Sequence, residues 1–171
     1  MNNIRLDEIC IRTELKPGDI GYVTYMHGHL YQKEYSYGIN FEAYVAKGFY
    51  EFYQNYDPAQ DRVWIAEHEG RIVGFLLLMH RETGVAQLRY FLLDPAYRGI
   101  GLGKKLSMLY MEYLLEKGYA RSYLWATNEL FNAATIYRKM GFQLTDEIAS
   151  ESFGKPLKEQ RYVLTLNVNP G

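Results

Sequence analysis

The segment Arg98-Gly99-Ile100-Gly101-Leu102-Gly103-Lys104 is the strongest constraint on how this chain folds. It follows an apolar stretch that closes at Asp94-Pro95, and it opens a run with Leu102, Leu106, Leu109, Tyr113 and Leu114 in helical register. A chain that passes from strand to helix through alternate glycines leaves several backbone N–H groups unpaired at the helix start. Those donors and the positive end of the helix dipole attract an anion, and glycines let a phosphate approach the backbone with no Cβ in the way. Arg98, Lys104 and Lys105 can add full charges.

Two other phosphate motifs fail in this register. A Walker A loop needs glycine where Arg98 stands and Ser or Thr where Lys105 stands, and a dinucleotide fingerprint from Gly99 needs glycine at Lys104. Nucleotide hydrolysis and hydride transfer therefore lose support. With 171 residues, 48% of them hydrophobic, the chain suits one core, and a single domain over 1–171 is expected. The formal net charge of -1 provides no broad field to draw in nucleic acid or an anionic membrane. Cys10 is the single cysteine, the start lacks the apolar stretch of a secretory signal, and the apolar run containing Gly74 to Met79 is short. A membrane helix needs about 20 such residues, so a cytoplasmic protein is expected.

Ile9 to Leu15 reads as a first strand, ended by Pro17-Gly18, with Asp19 capping a helix that carries Ile20, Val23, His27 and Tyr31 on one side. Gly28 inside that helix costs about 1 kcal/mol of propensity relative to Ala, so a break or bend is expected near His27 and His29. Asn40 is the expected cap of a second helix with Phe41, Tyr44, Val45, Gly48 and Phe52 on one face. Val63 to Ala66 and Ile72 to Met79 read as antiparallel strands, followed by Val85 to Leu93. Alternation along the last places Leu88, Tyr90 and Leu92 on one side, with Gln87, Arg89, Phe91 and Leu93 on the other. After the helix ended by Gly118 come a strand at Ser122 to Ala126, a helix at Glu129 to Met140, and strands at Phe142 to Ile148 and Arg161 to Leu166.

The spacing Arg-x-x-Gly-x-Gly, met by Arg98, Gly101 and Gly103, resembles the acyl-CoA signature of the GNAT superfamily of N-acetyltransferases. A second mark is the helix ending Tyr137-Arg138-Lys139-Met140-Gly141-Phe142, which carries Tyr-x-x-x-Gly-Phe. The resemblance runs from Val63 to Leu166 in element order, and the two helices before Val63 suit the same fold. It implies an α/β (α+β) single domain with a central mixed, mostly antiparallel sheet of about seven strands and about four helices. The chain is also similar to the acetyltransferase half of bacterial proteins that join such a domain to a MarR-type DNA-binding regulator. No winged-helix half precedes it, so no DNA binding is expected.

The resemblance implies an acetyl-CoA-dependent enzyme that acetylates a primary amine of a small molecule, peptide or protein. In the family a splayed strand offers backbone N–H groups to thioester and pantetheine, and the matching stretch is Phe91-Leu92-Leu93; such an N–H polarises the thioester carbonyl. Arg98, Gly99, Ile100, Gly101, Leu102, Gly103 and Lys104 then hold the pyrophosphate. Tyr137 matches the tyrosine that protonates the leaving thiolate, although a packed core tyrosine is the competing explanation. Many members place Asn seven residues before that tyrosine, where this chain has Leu130. Asn128 reads as a helix cap, and Asn132, rotated by about 160° from the expected place, is the remaining cofactor candidate. A non-catalytic acyl-CoA sensor stays open as the alternative.

No residue declares itself as the general base; Glu34, Glu42, His27 and His29 lie on the helices that form the acceptor side of this fold. His27-Gly28-His29 lacks the further donors of a metal site, so no metal is expected. Arg89, a charge on a strand buried near its end, needs a partner: an internal salt bridge or an acidic group of the acceptor. Tyr31, Glu34, Tyr35, Tyr37 and Tyr44 cluster where a cationic amine could be received, or simply pack two amphipathic helices. Glu34, Tyr35 and Arg89 are the substrate-side candidates. The partners expected are an amine acceptor and, as an option, a second copy in a homodimer, with no nucleic acid and no membrane.

Overall fold

The computed structural model describes residues 4–167. A seven-stranded sheet in the order β1-β2-β3-β4-β5-β7-β6 forms the middle layer. Its strands are β1 (Cys10–Arg12), β2 (Arg62–His68), β3 (Arg71–Glu82), β4 (Val85–Leu93), β5 (Arg121–Thr127), β6 (Gln143–Ser150) and β7 (Leu157–Thr165). Only the β4–β5 pair is parallel. The α1 (Asp19–Tyr35) and α2 (Ile39–Gln54) helices cover one face; α3 (Leu102–Glu116) and α4 (Phe131–Met140) cover the other.

Two buried clusters follow from the alternation of the central strands. Val63, Ile65, Phe75 and Leu77 meet Val23 of α1 and Val45, Phe49 and Phe52 of α2. On the opposite face Trp64, Ala66, Leu76 and Leu78 meet Leu102, Leu106 and Tyr110 of α3 and Tyr137 of α4. Each Leu, Ile, Val or Phe so buried contributes roughly 1.5–3 kcal/mol, so the three layers are held by their apolar faces.

The helix starts differ from the sequence expectation. Gly18 and Gly38, not Asp19 and Asn40, occupy the N-cap positions of α1 and α2. Asp19 instead accepts from the Lys16 N–H and from the Arg12 guanidinium, at 2.7 Å each, and Asn40 donates to the Ser152 carbonyl at 2.7 Å. Helix α1 runs through Gly28 without a break. A Cβ at Gly28 would stand 2.8 Å from Cδ of Glu42, so this glycine lets α1 and α2 approach closely, which offsets its poor propensity. Similarly, α4 begins at Phe131 with Leu130 as N-cap, and Asn128 accepts from the Lys158 N–H at 2.8 Å.

Strand β4 breaks alternation at Tyr90, whose φ is 55°. The β3–β4 register passes from Leu77↔Arg89 to Phe75↔Leu92, so Leu76 faces both Tyr90 and Phe91, which is a β-bulge. As a result Leu88 packs with the α3–α4 face while Tyr90 and Leu92 pack with the α1–α2 face, contrary to the expected grouping. Strands β4 and β5 pair only from Val85↔Arg121 to Gln87↔Tyr123. Beyond that point β4 diverges from β5 and a cleft opens between them.

Candidate active site

The cleft has two compartments. The first, of about 370 Å³, is lined by Phe91, Leu92, Leu93, Arg98, Gly99, Gly101, Gly103, Lys104 and Asn132. The second, of about 110 Å³, lies on the α1–α2 side and is lined by Arg89 and Tyr137 among others. Tyr31, Phe91 and Leu130 line both, so the two meet at the bulged strand.

Gly99 and Gly101 have φ of 80° and 92°, a region that L side chains avoid. They turn the chain from Asp94-Pro95 into α3, with Gly101 as its N-cap. The first intrahelical bond runs from the Lys105 N–H to the Gly101 carbonyl at 3.0 Å. The N–H groups of Leu102, Gly103 and Lys104 therefore have no acceptor within the helix, and this helix start, the positive end of the dipole, borders the first compartment through Gly101, Gly103 and Lys104. Ile100 and Leu102 do not line the compartment with their side chains. Leu102 is fully buried against the sheet and Ile100 packs beside it, because apolar groups at a helix start are drawn into the core.

Arg98 stands at the same turn but is not free. It donates from both terminal nitrogens to Glu34, at 3.0 and 2.8 Å, and once to the Leu93 carbonyl at 3.3 Å. Glu34 and Tyr35, expected beside the acceptor, line the first compartment instead. The reason is position along the helix: His27, Tyr31 and Tyr35 share one face, and passing along it from His27 to Tyr35 the chain moves from the second compartment, through Tyr31 in both walls, to the glycine turn beside the first.

Tyr137 is 5% exposed and lines the second compartment, its ring 6.4 Å from that of Phe91. Gly141, with φ of 99°, ends α4 just after it. Burial pushes the Tyr137 phenol well above the ordinary tyrosine range, so it stays protonated. Tyr37 and Thr127 join hydroxyls at 2.5 Å in the same wall. His27 is buried, its Nδ1 2.7 Å from the Val23 carbonyl, and desolvation lowers its pKa to about 4. It is neutral at pH 7 and a poor base for an ammonium.

The remaining base candidates do not line the second compartment: Glu42 packs against Gly28, and His29 is exposed and stacked on Tyr25. Among the described residues no group of three or more His, Cys, Asp or Glu could hold a metal, and no helix is long and apolar enough to cross a membrane. Sequence reasoning missed Glu159, Thr127 and Trp125, which β5 and β7 deliver to the second compartment. Thr127 pairs with Glu159 in the β5–β7 ladder, a register no local pattern announces.

Residues 26–142 match the model of the acetyltransferase (GNAT) family. The Escherichia coli K12 protein YjgM, an uncharacterized N-acetyltransferase, is 36% identical over 99 residues, which cover 56% of this chain and 59% of that protein. N-acetyltransferase family 8 member 2 of Rattus norvegicus is 30% identical over 97 residues, 54% of this chain and 43% of that one. The chain thus spans about half the length of these relatives. Among solved structures, an acetyltransferase of the GNAT family from Staphylococcus aureus Mu50 superposes with a TM-score of 0.76 at 20% identity, covering 93% of this chain and 99% of that one. The spermidine N-acetyltransferase of Vibrio cholerae, solved with CoA and spermine, gives 0.70 at 17% identity over 95% and 98%. At these identities the likeness is one of fold, and it extends over nearly the whole chain. Fold, glycine turn and family match agree, and the chain belongs to the acetyltransferase (GNAT) family.

Proposed function

We propose that this protein is an acetyl-CoA-dependent N-acetyltransferase acting on a primary amine. The observation that carries this reading is the meeting of the two compartments at Phe91 and Leu130, with Tyr137 in the wall of the second. The first compartment fits coenzyme A because the three free N–H groups of Leu102, Gly103 and Lys104 and the side chain of Lys104 suit a pyrophosphate. Phe91, Leu92 and Leu93, on the unpaired edge of β4, offer main-chain groups to the pantetheine, and Asn132 stands in the same wall.

When bound, acetyl-CoA supplies an activated thioester acyl group. A backbone N–H of the bulged strand polarises the acyl carbonyl, an effect worth several kcal/mol in related sites. The Tyr137 hydroxyl, kept protonated by burial, gives its proton to the departing thiolate sulfur. Phe91 and Leu130 give apolar walls to the junction where the reacting atoms would meet.

Leu130 at the position of the family's asparagine favours a second reading, a sensor that binds acyl-CoA without turnover. Replacing Tyr137 with Phe separates the two. The ring and its packing are kept, so acetyl-CoA binding persists, while kcat falls by about 10²-fold or more if the hydroxyl is the proton donor. Unchanged turnover would remove Tyr137 from the chemistry. The reading includes a cytoplasmic location, which the single Cys10 suits. The reading keeps a homodimer as an option, and kinship with MarR-fused acetyltransferases rests on sequence likeness.

A further inference from the structure

The second compartment carries one cation and one carboxylate in its wall, Arg89 on β4 and Glu159 on β7. Neither takes part in an ion pair among the described residues. The two strands flank β5, and β4 has left its pairing with β5 before Arg89, so Arg89 and Glu159 stand on different strands across the opened cleft. His27, the other ionisable nitrogen in that wall, is neutral at pH 7.

Arg89 is half-buried and always charged. Its guanidinium lies 4.6 Å from the Tyr90 ring and 6.0 Å from that of Tyr44, contacts that soften the loss of water but supply no counter-ion. On its far side a hollow is lined by Glu51 and Asp61. Glu51 is 3.7 Å from Lys47, Asp61 accepts from the N–H groups of Asp57 and His80, and neither carboxylate comes within ion-pair distance of Arg89. Gly48 keeps the space open: a Cβ there would stand 2.9 Å from Arg89 Nη2 and 2.1 Å from the Tyr90 hydroxyl. That hydroxyl is itself buried without a partner.

We propose that the acceptor is a zwitterion, a primary amine that carries a carboxylate, with the carboxylate held by Arg89 and the ammonium received by Glu159. A guanidinium pairs two N–H groups with two carboxylate oxygens, a fit that an amine without a carboxylate cannot use. Phe41, Tyr44, Trp125 and Phe153 in the same wall suit an apolar or aromatic body. A polyamine brings further cations to a cavity that already holds one and is disfavoured. The inference rests on the N-acetyltransferase reading of this site.

Matched acceptors test it with the full chain: L-phenylalanine against its amide and phenethylamine, L-leucine against isoamylamine, and spermidine as the polycation. CoA thiol release is the readout. The acids should exceed their carboxylate-free counterparts at least about tenfold in kcat/KM, chiefly through KM. Arg89→Gln should bring that ratio close to one and Arg89→Lys should keep part of it. Binding of acetyl-CoA by both variants certifies that they fold. Glu159→Gln should weaken every amine, acid or not. Equal or better turnover of the carboxylate-free amines or spermidine overturns the zwitterion and leaves acetyl transfer standing. Acetyl-CoA binding with no thiol release from any acceptor overturns the transfer reading and this inference with it.

Discussion

Glu34, near the end of α1, holds the Arg98 guanidinium in a two-point pair across the glycine turn, with its closer contact at 2.8 Å. The carboxylate thereby engages the arginine that lines the first compartment, and it adds a negative charge to a site proposed to receive phosphates. Replacing Glu34 with Gln should free Arg98 and tighten acetyl-CoA binding by about threefold at low salt, with the gain shrinking at high salt. Titration calorimetry at two ionic strengths measures it. Weaker binding by the variant would instead mean that the pair positions Arg98 for the cofactor.

Gly101 and Gly118 mark the two ends of α3, both with positive φ, 92° and 70°. An alanine at either costs about 1–2 kcal/mol of backbone strain, which lowers the melting temperature by about 2–8 °C. Only Gly101→Ala should also weaken acetyl-CoA binding, because only that end presents free N–H groups to the compartment. Thermal melts with and without acetyl-CoA separate the effects. An equal loss of ligand-induced stabilisation in both variants would detach the turn from cofactor binding.

His27 makes stability depend on pH. Burial lowers its pKa from 6.5 to about 4 in the folded protein, so between those values the unfolded chain binds the extra proton. Stability should therefore fall as pH drops from above 6.5 toward 4, by up to roughly 3 kcal/mol from this residue. His27→Gln should flatten that part of the profile in urea melts taken at several pH values. An unaltered slope in the variant would assign the loss to other groups.

The glycine turn and the four helices are legible in the sequence because glycine conformation and apolar period are local properties. The caps are not. Asp19, Asn40 and Asn128 look like caps, but their side chains are committed to Arg12, Ser152 and Lys158, partners fixed only by the tertiary fold. The helix through Gly28 persists because a neighbouring helix fills the space that a side chain would take. The bulge at Tyr90 left no mark either, since a non-glycine residue adopts positive φ there. It is that bulge that puts Arg89 and Tyr90 together beside Gly48. Glu159 escaped notice because strand pairing, rather than sequence proximity, brings it beside Thr127.

The central claim is acetyl transfer to an amine, and its most direct measurement is a paired count of free CoA thiol and N-acetylated acceptor after acetyl-CoA and an amine are mixed with the protein. The account predicts equal amounts of the two, formed over many turnovers, and a loss of about 10²-fold or more in rate for Tyr137→Phe while acetyl-CoA still binds. Acetyl-CoA binding with no thiol and no acetylated product across amino acids, simple amines, polyamines, aminoglycosides and peptides would contradict it and leave a protein that senses acyl-CoA.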